Sequence, residues 1–66
     1  MKVKDLLKHT QSFIFVRLEE CHKFVAEDKP RYLLENLPAD RLAQTVGLIN
    51  GADSNFIKIS IIPKNN

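Results

Sequence analysis

The 66-residue sequence predicts a single α+β domain: a mostly antiparallel four-stranded sheet with short helices on one face. Three observations predict it. Apolar residues near the N-terminus recur with helical spacing. Two separate stretches are rich in aromatic and β-branched residues. A leucine-rich middle is punctuated by Pro30 and Pro38.

Val3, Leu6, Leu7 and Thr10 stand at i, i+3, i+4 and i+7, with charged residues between them, as in a short amphipathic helix. Ser12 to Leu18 (SFIFVRL) has strand composition. Glu19 to His22 is polar and suits a turn, so Lys23 to Glu27 can return as the second strand of a hairpin. Asp28 is a candidate helix cap, and Pro30 is tolerated in a first turn, which places a short helix over Arg31 to Asn36. Pro38 has no amide hydrogen and disfavours helix at Leu37, so a second helical piece starts there and runs to Gln44. Leu33, Leu34, Leu37 and Leu42 supply the buried side of this region. Thr45 to Ile49 reads as a third strand, and Phe56 to Ile62 (FIKISII) as a fourth, ended by Pro63. Asn50-Gly51 signals a tight hairpin, while the polar run Ala52 to Asn55 suits a longer loop equally well. Lys64 to Asn66 forms a tail.

Composition narrows the function classes. The chain is 44% hydrophobic, too apolar for a disordered protein, and its one cysteine allows no internal disulfide. A domain this small buries only about 60% of the surface of its unfolded chain and often gains stability from a partner subunit. A homo-oligomer is therefore expected. Ten basic against eight acidic residues leave a net charge of +2, spread singly, which does not by itself indicate nucleic-acid binding. The opening MKVKDLLK has no signal-peptide pattern, and no apolar run approaches a membrane span, so a soluble cytoplasmic protein is the expectation.

The opening MKVKDLLK followed by a strand, and the later NLPADRLAQTVGLI with the alternating FIKISII, resemble small proteins encoded by phages, prophages and mobile elements of Gram-positive bacteria. The resemblance implies an accessory protein that binds a host factor, in counter-defence by occlusion, acting in the host cytoplasm. It carries no motif residue of a defined chemistry onto this chain.

No catalytic or metal-binding pattern is visible, so an enzyme is not expected, nor is a cofactor. Cys21 and His22 are adjacent, and in extended backbone neighbouring side chains point to opposite faces, which does not favour a thiol–imidazole pair. Zinc takes three or four protein ligands, and only His9, Cys21 and His22 are candidates. Glu19/Glu20 and Glu27/Asp28 read as solvated strand ends and a cap. Gly47 and Gly51 lie in no phosphate-binding loop. Lys23, Arg31, Tyr32 and Arg41 read as scattered surface groups around the central helices.

The informative pattern is in the two best strands. Ile14, Val16 and Leu18 alternate with Phe13, Phe15 and Arg17; Ile57, Ile59 and Ile61 alternate with Phe56, Lys58 and Ser60. With the aliphatic faces under the helices, the other face collects Phe13, Phe15, Arg17, Phe56 and Lys58, the candidate binding residues. Three uses fit them: an oligomer or host-protein interface, a platform stacking a nucleotide or nucleic acid, and plain structure covered by the chain itself. Periodicity alone does not choose which apolar face is inside.

Overall fold

The computed structural model describes residues 1–51 and 53–63; Ala52 and the expected tail at 64–66 lie outside the described residues. The elements follow the order α1 (Val3–His9), β1 (Phe15–Glu20), β2 (Lys23–Asp28), α2 (Pro30–Asn36), α3 (Ala39–Leu42), β3 (Val46–Asn50) and β4 (Phe56–Ile61). The four strands form one sheet in the order β2-β1-β4-β3. Two antiparallel hairpins, β1–β2 and β3–β4, are joined through a central parallel pair, β1 and β4. The sheet is thus mostly antiparallel, as expected, but its middle seam is parallel, which no local pattern announces.

The aliphatic face is the inside. Val16, Leu18, Ile59 and Ile61 from the central strands pack with Val3, Leu6 and Leu7 of α1 and with Leu33 of α2. Leu34, Leu37, Leu42, Val46 and Ile57 close the margins of this cluster. The helices cover one face of the sheet, because their apolar stripes have only that surface to bury.

Element ends differ from the sequence expectation for identifiable reasons. β1 starts at Phe15 rather than Ser12. The chain must reverse between helix layer and sheet layer, and it does so in a turn where the Ile14 amide donates to the Gln11 carbonyl at 3.1 Å. Pairing starts at Phe15, whose amide donates to the Asn55 carbonyl at 2.9 Å. Glu19 and Glu20 belong to β1, so the first hairpin turns on Cys21 and His22 alone. Asp28 ends β2 and does not cap α2: the N-cap is Lys29, and Pro30 follows at the first helical position. The second helical piece is a single turn, Ala39–Leu42, shorter than the expected span to Gln44. β3 and β4 are separated by residues 51–55, so the longer loop and not the tight hairpin is formed, with Gly51 at φ +55°.

A polar clasp ties the far end of the sheet to α3. Gln44 is buried; its Nε2 donates to Glu20 Oε2 at 2.6 Å and to the Ile62 carbonyl at 3.3 Å. Arg41 Nη1 reaches the same Glu20 oxygen at 3.0 Å and donates to Gln44 Oε1 at 3.1 Å. The Gln44 and Arg41 donors hold the Glu20 carboxyl below its ordinary value of 4.5. A carboxyl whose pKa is depressed by folding contributes stability above its unfolded pKa and loses it as pH falls through the folded value. We therefore expect wild-type urea midpoints to drop between pH 7 and strongly acidic pH, and Glu20→Gln to show a smaller drop. Equal drops in both proteins would remove Glu20 from the acid response.

Candidate functional site

The face of the sheet turned away from the helices carries the candidate site. Strand register places its side chains in rows. Phe15 stands directly beside Phe56, Arg17 beside Lys58, and Glu19 beside Ser60 on the parallel central strands. On the β2 side, Glu27 pairs with Arg17 and Phe24 with Glu19. On the β3 side, Asn50 pairs with Lys58 and Leu48 with Ser60.

Phe24 reaches this face through a bulge. The register steps from Leu18 opposite Ala26 to Glu19 opposite Phe24, so Val25 is an extra residue in β2. Without it, strict alternation would send Phe24 to the helix side together with Ala26. Instead its ring is 58% exposed and lies under the Arg17 guanidinium, 5.0 Å from carbon to centroid. Sequence reasoning missed Phe24 because a bulge leaves no period to read. A second register step, between Val46 and Leu48, occurs at Gly47. A Cβ there would approach Ile62 Cγ1 to 3.0 Å and the Ser60 carbonyl oxygen to 3.3 Å, which explains glycine at that point.

Arg17 is already engaged. Its Nε donates to Glu19 Oε2 at 2.8 Å, and its Nη1 contacts Glu27 Oε1 at 3.3 Å. The Glu19 hydrogen bond, and then Glu27, hold the guanidinium in its charged form and raise its pKa. Lys58 differs: among the described residues no carboxylate forms an ion pair with it. Nearby, Asn50 Nδ2 and Ser60 Oγ are 3.4 Å apart. At the aromatic end, Lys29 Nζ lies 5.7 Å from the centre of the Phe15 ring.

Four of the five residues singled out from sequence thus share one face: Phe15, Arg17, Phe56 and Lys58. Phe13 does not belong to the strand. It is exposed in the turn before β1, outside the alternation that was expected to carry it. Cys21 and His22 lie in the expected turn, where both are exposed with positive φ, so the extended-backbone argument against a thiol–imidazole pair does not apply to them. His9 ends α1, its Nδ1 2.8 Å from the Asp5 carbonyl oxygen. No group of three or more metal-ligating side chains occurs among the described residues. A shallow hollow of about 430 Å³ lies beside α2, lined by Ser12, Asp28, Lys29, Arg31, Tyr32 and Glu35. Arg31 there is paired with Glu35 at 3.1 Å.

Fold and face together define the class: a two-layer α+β domain with one bare, aromatic sheet surface. Comparison with family models, with curated proteins and with solved structures found no match to this chain. The resemblance to phage and mobile-element proteins therefore rests on the sequence motifs alone. No helix among the described residues is long and apolar enough to cross a membrane.

Proposed function

We propose that this is a non-enzymatic binding protein whose open sheet face docks on an apolar protein surface carrying a carboxylate. The observation that supports the reading is that one sheet face carries exposed Phe15 and Phe24 together with half-buried Phe56 and Lys58. Exposed aromatic side chains grouped on one surface are the usual anchors of protein contacts. Lys58 and, beside Phe15, Lys29 are cations without an ion pair among the described residues, whereas Glu19 and Glu27 already occupy Arg17. That occupation weighs against a phosphate-binding platform, which needs its cations free. On the sequence resemblance, the partner is a host factor blocked by occlusion.

A peptide-display selection tests this. Wild-type protein is expected to enrich peptides combining aromatic or aliphatic residues with Asp or Glu. The Phe15→Thr/Phe56→Thr variant, checked for folding by circular dichroism, is expected to bind the selected peptides at least about thirtyfold more weakly. Undiminished binding by the folded double variant would sink the proposal. So would salt-dependent binding of oligothymidylate that is lost in Arg17→Ala and Lys58→Ala, which is the signature of the nucleic-acid alternative.

A further inference from the structure

The two edges of the sheet are unlike. β2 is an edge strand guarded in the ways that discourage strand pairing: it carries Lys23, Glu27 and Asp28, and the Val25 bulge interrupts it. β3, at the opposite edge, reads Val-Gly-Leu-Ile-Asn and has no charge, and its own register step lies at Gly47, ahead of Leu48 to Asn50. Its outer edge is competent for pairing, because its first part is already paired. The Val46 amide donates to the Met1 carbonyl at 2.8 Å, the Val3 amide donates to the Gln44 carbonyl at 2.9 Å, and Lys2 bridges Thr45. Among the described residues that cover stops at Val46. Beyond it, Leu48 is 58% exposed on the open face and Ile49 is 50% exposed on the helix face. Leu48 to Asn50 is thus an uncharged edge segment with apolar side chains on both of its faces.

We propose that this segment pairs antiparallel with the same segment of a second copy, about a two-fold axis at Ile49. The pairing sets Ile49 against Ile49 of the partner on the helix face, and Leu48 beside the partner's Asn50 on the open face. An isologous contact requires a self-complementary patch, and an uncharged strand paired with itself meets that requirement. The two four-stranded sheets become one continuous sheet, and the two aromatic faces lie side by side, free for the partner proposed above. Face-to-face stacking of two copies is the competing arrangement. That arrangement would bury Phe15 and Phe56 and depend on them, whereas the edge pairing does not.

Charge reversal at the axis tests the pairing. Wild-type protein, followed by sedimentation equilibrium from micromolar to millimolar concentration, is expected to approach twice the monomer mass. Ile49→Lys and Ile49→Glu are each expected to weaken association more than about tenfold, because the axis sets each new charge against itself. Equimolar mixing of the two variants is expected to restore the dimer. Phe15→Thr/Phe56→Thr is expected to dimerise like wild type. The proposal is overturned by a wild type that stays monomeric at millimolar concentration, by a mixture that does not reassociate, or by loss of dimer in the Phe variant. Because Ile49 is half exposed, both charge variants should keep the wild-type circular dichroism spectrum. If either does not, concentration-dependent amide protection at Leu48 to Asn50 in the wild type decides instead, and its absence overturns the pairing.

Discussion

Ile59→Ala is expected to remove a large share of the protein's stability. Ile59 has no exposed surface and lies on a central strand, packed between Leu18 and the underside of the helices. Truncating such a side chain costs about 2–5 kcal/mol, from lost transfer energy and the cavity left behind. A domain of this size has about 3–10 kcal/mol in total. The control is Phe24→Ala, which deletes a larger side chain from the open face. It should cost about 1 kcal/mol, mostly the contact with Arg17 and the loss of strand preference. Urea denaturation of the two variants reads the difference. Equal losses would mean that the Phe24 face is covered, and the binding surface argued above would disappear.

The second large effect has the opposite sign. The β1–β2 hairpin closes on two residues between the paired Glu20 and Lys23, and both have left-handed backbone: φ is 52° at Cys21 and 64° at His22. Positive φ at both central positions is the mark of the I′ turn, whose twist matches that of the strands. For residues other than glycine and asparagine this conformation costs roughly 1–2 kcal/mol each. Cys21→Asn/His22→Gly is therefore expected to stabilise the protein by about 1–3 kcal/mol, seen as a higher urea midpoint with an unchanged slope. A lower midpoint would show that Cys21 or His22 contributes an interaction that outweighs its backbone strain. A stabilised double variant with unimpaired partner binding would also remove the cysteine and the histidine from any functional role.

Much of the architecture was legible because it is local. The 3.6-residue spacing of Val3, Leu6 and Leu7 marks α1, and all three are buried where that spacing places them. Pro38 divides the middle region into α2 and α3 because a residue without an amide hydrogen cannot continue the helix. The alternation of Ile57, Ile59 and Ile61 with Phe56, Lys58 and Ser60 is a property of the pleat, and it separates core from open face whatever the strand pairs with. Phe15, Arg17, Phe56 and Lys58 were found together for the same reason.

Other features belong to the tertiary structure. Two apolar faces with the same period are equivalent until helices cover one of them, so the choice of the aliphatic side as core was made by α1 and α2. The parallel seam between β1 and β4 joins residues some forty positions apart, such as Phe15 and Phe56, and pairing at that distance has no short-range signal. The Val25 bulge adds Phe24 to the open face against its own alternation. The clasp of half-buried Glu20 and Arg41 on buried Gln44 joins segments whose polar residues look individually like surface. The sequence alone determined the order of helices and strands and, within an unbroken strand, which residues share a face, because those follow from backbone geometry within a few residues. Partner strands, the buried face and the bare edge were decided only when distant segments met, because burial and hydrogen-bond pairing are properties of the assembled layers.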